Sequence, residues 1–210
     1  MSIDRRLLFA VALLSAASLL EVRGHGRLID PVARSSAWRY GFKAPHNYND
    51  NELFCGGVGI QYGVNNGLCG VCGDDYSLPR PRPNELGGYY GKGFIVKTYR
   101  QGDIIKAVVQ ITASHLGHFE FHICPLDYFD EESEACFRPL RLANGKRKFM
   151  GPIEQKGDYE VELELPWYMT CKHCVLRWTY VAGNNWETHV QETYRGCADV
   201  AILRDDEDDI

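Results

Sequence analysis

The stretch Ile104-Ile-Lys-Ala-Val-Val-Gln-Ile-Thr-Ala-Ser-His-Leu-Gly-His-Phe-Glu-Phe-His-Ile123 contains two runs dominated by alternation, separated by the five residues 113–117. Ile105, Ala107, Val109 and Ile111 alternate with Lys106, Gln110 and Thr112, and Phe119, Phe121 and Ile123 alternate with His118, Glu120 and His122. Period two is the pattern of half-buried strands. His118 and His122 would share one face of a helix, as in a zinc protease, but on a strand both imidazoles lie opposite the aromatics and read as solvent-facing. The same alternation sets Tyr159, Val161, Leu163 and Leu165 against glutamates, and further candidate strands cover 94–99, 175–181 and 199–203. Six or more strands with no convincing amphipathic helix between them predict an all-β chain, an antiparallel β-sandwich of the immunoglobulin or fibronectin-III-like kind. The stretch 38–84 is different. Rich in Gly, Asn, Tyr and Pro, with three cysteines, it reads as a long irregular excursion pinned by disulfides, and long loops of that kind often carry function.

The ends of the chain bound its destination. Two arginines precede an uncharged apolar run at 7–20, which is too short to span a bilayer and ends in Val22-Arg23-Gly24. This is the pattern of a secretory signal, and cleavage after Gly24 would make His25 the first residue of the mature chain. What remains of the 210 residues suits one well-buried domain, here 25–204. Residues 205–210 form an acidic tail, expected to be solvated. A formal net charge of −5, with that acidic block, argues against nucleic acid as a partner. No second apolar segment suggests a membrane span, and the chain is expected to be secreted, extracellular and monomeric. It has eight cysteines, at 55, 69, 72, 124, 136, 171, 174 and 197. In a cytosolic protein the two C-x-x-C pairs would suggest zinc, but in an exported one an even count suggests four disulfides, whose connectivity the sequence leaves open. There is no Asn-x-Ser/Thr sequon, so no N-glycan is expected.

Most of the seven histidines read as surface residues, His46, His173 and His189 among them. His25 is different. At a mature N-terminus it offers two nitrogens, the free α-amine and the imidazole Nδ1, which together close a chelate ring. The amine has an ordinary pKa near 8, so a metal displaces its proton at modest cost. One further imidazole would complete three nitrogens in a plane, an arrangement that suits Cu(II) better than tetrahedral structural zinc.

At this point the sequence resembles a known family. His25-Gly-Arg-Leu-Ile-Asp-Pro-Val-Ala-Arg opens like the mature lytic polysaccharide monooxygenases of the chitin-binding type. Trp38-Arg-Tyr-Gly-Phe, Asn47-Tyr-Asn-Asp-Asn-Glu-Leu-Phe-Cys-Gly-Gly and Cys69-Gly-Val-Cys-Gly-Asp resemble its animal branch, auxiliary activity family 15. The likeness continues through Thr112-Ala-Ser-His-Leu-Gly and Cys171-Lys-His-Cys-Val-Leu-Arg-Trp-Thr-Tyr to Glu192-Thr-Tyr-Arg-Gly-Cys-Ala-Asp-Val, nearly the whole mature chain. It implies a copper brace made of His25, through amine and side chain, and His115. Tyr194 falls where the family keeps its axial aromatic, and Ala113 where related enzymes place a small residue beside the open axial position. Gln191 and Glu192 lie close by, and strand phase decides which of them points inward to hydrogen-bond bound oxygen. The implied chemistry is reduction of Cu(II) to Cu(I) by an external electron donor, activation of H2O2 or O2, and hydrogen abstraction from a sugar carbon at the glycosidic bond of an insoluble polysaccharide. Chitin is the first candidate and cellulose the second.

Two other classes fit parts of the sequence. A non-catalytic secreted chitin-binding protein would share fold and aromatic loops but would not need the two histidines and the tyrosine. A copper carrier on a small β-sandwich would not need the long pinned loops. Acid/base glycoside hydrolysis is disfavoured because no carboxylate pair can be assigned. Aromatics in 38–62 are candidates to stack on sugar rings. The export reading predicts that N-terminal sequencing of the secreted protein begins His-Gly-Arg-Leu; any other start removes the amine that the brace requires.

Overall fold

The computed structural model describes residues 25–184 and 190–206. Residues 1–24, expected to be an export signal, His189 and the last four residues of the acidic tail lie outside the described residues. The strands, in chain order, are β1 (His25–Asp30), β2 (Lys97–Arg100), β3 (Ile104–Ala113), β4 (His118–Pro125), β5 (Arg138–Pro139), β6 (Arg141–Leu142), β7 (Lys148–Phe149), β8 (Gly157–Glu164), β9 (Cys171–Val181) and β10 (Thr193–Leu203). They form two sheets, β1-β3-β8-β6 and β2-β10-β9-β4-β5, with β7 added alongside β4. Every ladder between these strands is antiparallel except β10 with β2, so the predicted sandwich is the observed one. A 3-10 helix, Arg34–Tyr40, and a short α-helix, Val58–Gly63, lie in the excursion between β1 and β2.

Alternation decides which side chains meet between the sheets. Ile105, Ala107, Val109 and Ile111 of β3 and Val161 and Leu163 of β8 face Phe119, Phe121 and Ile123 of β4 and Leu176, Trp178 and Tyr180 of β9 in one buried cluster. Burying a side chain such as Leu163 stabilises the fold by about 1.5–3 kcal/mol, and the cluster is the main source of cohesion. Gly26 lets β1 join this core closely. A Cβ there would stand 2.7 Å from Ile111 Cδ1 and 3.1 Å from the Trp178 ring.

The outer face of β9 and β10 is covered by the excursion. Val175, Arg177 and Cys197 on that face lie buried together with Val71, Cys72 and Phe137. The disulfides are Cys55–Cys69, Cys72–Cys197, Cys124–Cys136 and Cys171–Cys174, so of the two C-x-x-C pairs only the second closes on itself. Cys72–Cys197 ties the excursion to β10. Beside it the buried Arg34 donates through Nε to Asp199 Oδ2 at 2.7 Å and pairs with Glu132 at 2.6 Å, while His173 Nε2 stands 2.7 Å from Asp199 Oδ1. His173 is therefore a half-buried partner of a core carboxylate and not a surface residue.

His118 and His122 also depart from expectation. They lie on the face opposite the aromatics, as the alternation requires, but that face is not open to solvent. Glu120, Lys148 of β7, Arg177 and Glu134 crowd it, with His118 Nε2 2.9 Å from Glu120 Oε1 and Lys148 Nζ 2.9 Å from the same oxygen. The His118 hydrogen bond, against the cost of burial, pulls the Glu120 carboxyl down to about 2. Burial, then the charge of Arg177, pushes the His122 imidazole down to about 4.

Burial alone would raise the Asp199 carboxyl, but the charge and hydrogen bonds of Arg34, aided by His173, hold it below the ordinary carboxylate range. Its folded value is thus lower than the unfolded value of about 3.9, so the pair's contribution is complete above that pH and is lost as pH falls through the folded value. Asp199→Asn leaves Arg34 buried with one charge partner fewer, and should cost about 3–5 kcal/mol in denaturant unfolding at neutral pH while losing part of the wild-type acid sensitivity.

Candidate metal centre

One edge of the sandwich collects the chemically capable residues. β1 runs antiparallel to β3 with His25 opposite Ala113, so the first described residue is paired with the last residue of β3. His115 follows two positions later, about 7 Å of extended chain from Ala113, in the turn that joins β3 to β4. Register therefore brings His25, Ala113 and His115 to one end of one sheet, although 90 residues of sequence separate the histidines.

The turn 114–117 is fixed from several sides. His115 N–H donates to the Tyr180 hydroxyl at 2.8 Å, and Gly183 N–H donates to the His115 carbonyl at 2.8 Å. The Ser114 hydroxyl donates to the Ile153 carbonyl. Gly117 has φ +84°, and a Cβ there would fall 2.0 Å from the Val181 carbonyl oxygen, so only glycine allows β4 to leave so close to the end of β9. His115 is consequently buried, at 4% exposure. Burial pushes the Tyr180 phenol up to about 12, so it meets the His115 backbone as an uncharged hydroxyl.

The second sheet supplies Tyr194 at the start of β10, paired with Tyr180 and 1% exposed. Its ring stacks on Tyr180 at 5.6 Å and on Phe54 at 6.1 Å. Its hydroxyl donates to Glu192 Oε2 at 2.9 Å, and the same oxygen stands 3.0 Å from His115 Nδ1. Of the two residues that strand phase left open, Glu192 has its carboxylate between Tyr194 and His115. Gln191 offers its backbone carbonyl to the Tyr62 hydroxyl at 3.1 Å.

A second carboxylate engages the other histidine. Glu52 Oε1 stands 3.2 Å from His25 Nε2. The structure thus joins His115, Tyr194 and Glu192 directly through hydrogen bonds and places His25 on the neighbouring strand across from Ala113. Glu52, Phe54 and Tyr180 carried no local signal in the sequence, because their roles arise from contacts across 27 to 140 positions.

This donor set fits copper. Each imidazole has one ring nitrogen engaged by a carboxylate, Nε2 on His25 and Nδ1 on His115, so Nδ1 of His25 and Nε2 of His115 are the nitrogens that would hold a shared ion. A carboxylate on the outer nitrogen is the usual partner of a metal-binding imidazole, where it fixes the tautomer and raises donor strength. Nδ1 is also the nitrogen of His25 that can close a chelate ring with the residue's own amine. All eight cysteines are in disulfides, which removes the thiolates a zinc ribbon would need.

Comparison with known proteins agrees with this arrangement. A family model described as "Lytic polysaccharide mono-oxygenase, cellulose-degrading" matches residues 25–200. The chain is 46% identical to a solved lytic polysaccharide monooxygenase of family AA15 from Thermobia domestica in the Cu(I) state, over 85% of this chain and 98% of that one, with a TM-score of 0.80. A chitin binding domain from Burkholderia pseudomallei (14% identity, 86% and 100% covered, TM-score 0.51) and an AA10 lytic polysaccharide monooxygenase from Streptomyces lividans (12%, 84% and 99%, 0.54) share the fold. No curated protein matches the chain. With the family model matching residues 25–200 and 46% identity to a solved member over 85% of the chain, the chain belongs to the lytic polysaccharide monooxygenases, copper-dependent enzymes, in their insect-type auxiliary activity family 15.

Proposed function

We propose that the protein is exported, loses residues 1–24, and binds one copper ion through the His25 amine and imidazole together with His115, with Tyr194 beside them, to cleave chitin oxidatively at its crystalline surface. The observation that carries this is the pair of carboxylates, Glu52 and Glu192, on the outer nitrogens of two histidines brought to one sheet end by the β1–β3 register. Bound copper, with an external electron donor and H2O2 or O2, supplies the chemistry that hydroxylates a sugar carbon and breaks the glycosidic bond.

The chain's own residues do the positioning. Glu192 accepts from the Tyr194 hydroxyl and the His115 ring together, so neither side chain turns without the other. The Tyr180 hydroxyl holds the His115 backbone N–H, and Ala113 stands opposite His25 in the β1–β3 register. No step needs a titrating carboxylate pair, which matches a reaction driven by oxidation and not by acid and base.

The surroundings suit a solid substrate. Tyr48 is 73% exposed and packs edge-on against Trp38 at 5.4 Å, while Trp38 stacks on His46 at 4.5 Å and lies under Arg39 at 4.3 Å. Its segment is fastened beside β1: the buried Asp50 accepts from Arg27, Arg39 and Ser36, and the Asn51 carbonyl accepts from Gly26 N–H. Tyr48 is therefore an exposed ring on a segment anchored to β1, suited to stacking on a sugar ring. Cellulose is the second reading for the substrate, favoured by the description of the family model that matches the chain.

Copper-loaded protein starting at His25, given reductant and peroxide, should release oxidised oligosaccharides from chitin; parallel incubation with cellulose decides between the two substrates, and release from neither defeats the proposal. His115→Ala should abolish that release together with tight copper binding. Tyr48→Ala should weaken binding to solid chitin by about tenfold, corresponding to the ~1–1.5 kcal/mol of one stacking contact, and leave copper affinity unchanged.

A further inference from the structure

The segment Asn51-Glu-Leu-Phe54 touches both halves of the site. The Asn51 carbonyl accepts from Gly26 N–H at 3.0 Å, and its side-chain amide donates to Thr112 Oγ1 at 2.9 Å, so it grips β1 and β3 where they carry His25 and Ala113. Arg195 N–H donates to the Leu53 carbonyl at 3.0 Å, tying the segment to β10, and Phe54 stacks on Tyr194. Glu52 donates its N–H to the Asn49 carbonyl and accepts from Phe54 N–H, both at 3.0 Å. Its backbone is thus held at both ends, and its carboxylate is the group that reaches His25 Nε2.

A neutral imidazole carries its one N–H on either Nδ1 or Nε2. A carboxylate beside Nε2 accepts that hydrogen and so leaves the lone pair on Nδ1, the nitrogen that can share a chelate ring with the residue's own amine. Glu192 imposes the opposite choice on His115 by standing at its Nδ1. The two site histidines need opposite tautomers, and the chain supplies one carboxylate for each.

We infer that Glu52 is the positioning residue of the terminal histidine: its carboxylate fixes the Nε2–H tautomer and the ring rotation of His25, so that amine and Nδ1 are presented together to the metal. The inference rests on the copper reading above, and goes beyond it in giving this acid a role. The ion pair is too open to matter for folding. Glu52 is 39% exposed, and exposed pairs contribute little to stability, so its loss should register at the metal and not in unfolding.

The test uses the full chain beginning at His25, as wild type, Glu52→Gln and Glu52→Ala, with thermal unfolding as a check on folding. In metal-free protein, long-range ¹H–¹⁵N spectra of the His25 ring should show the Nε2–H form in wild type and a mixture in Glu52→Ala. Cu(II) affinity by competition titration should fall 10–100-fold in Glu52→Ala and less than about threefold in Glu52→Gln, whose amide oxygen still accepts. The nitrogen hyperfine pattern in the Cu(II) electron paramagnetic resonance spectrum should change in the alanine variant. Absence of an Nε2–H preference in wild type, or a Glu52→Ala protein with wild-type tautomer, affinity and spectrum, overturns the inference. A wild type that binds no copper but shows the tautomer defeats the copper reading and leaves the hold of Glu52 on His25 standing. Should Glu52→Ala fail to fold, the wild-type tautomer and the Glu52→Gln affinity decide alone.

Discussion

The pairing of β1 with β3 is the constraint on which the site depends. A strand at a sheet edge is normally loosely held, yet this one has its first residue opposite Ala113 and its second packed onto the core. Gly26 makes that possible, because any side chain there would collide with Ile111 and Trp178. The apolar core is therefore connected directly to the position of His25. A shift of one residue in this register would turn His25 to the other face of the sheet, away from the turn that carries His115.

Around that pairing the excursion acts as a second scaffold. Its far end is anchored by Cys72–Cys197 and by Arg34 against Asp199 and Glu132, all on the outer face of the second sheet. Its near end is anchored by Asp50 and Asn51 against β1 and β3. Between those anchors it supplies Glu52 to His25 and Phe54 to Tyr194. Each sheet contributes a different part of the site, His25 and Ala113 from one and Tyr194 and Tyr180 from the other. The excursion touches both, so it locks their relative position in a way that the sandwich core alone would not.

How much of this was legible in the sequence depended on whether the information was local. β3, β4 and β8 were readable because one face of each packs into the core and the other faces water or polar groups, which is what alternation records. β1 was not readable as a strand: it is six residues long, with a glycine and an arginine among them, and its placement comes from packing on Trp178. The first half of β10 was missed for the opposite reason. Covered by the core on one side and the excursion on the other, residues 193–198 lose their alternation. His118, His122 and His173 were misjudged as solvent-facing for a related reason, since the groups that cover them come from β7, from Glu134 and Arg177, and from Asp199, none of them sequence neighbours. The residues proposed for the brace came through resemblance, which also named Glu192 as one of two candidates to point inward, whereas Glu52 beside His25 was not legible. An acid gives no sign in sequence of whether it will meet water or an imidazole.

The chemistry gains something from a ligand that is also a chain end. On the copper reading, His25 lacks one of its two metal-binding nitrogens until the peptide bond before it is cut, because an amide nitrogen is neither basic nor available where an amine is both. Glu52 holds the His25 ring through Nε2 and the Asn51 carbonyl holds Gly26 N–H, contacts that do not use the amine. On that reading folding and metal assembly would be separable: the fold would arrange two imidazoles, and proteolysis would add the third nitrogen. A site that could hold redox-active copper during synthesis would expose the cell to its oxidants. A site completed by export would keep that chemistry outside the cell.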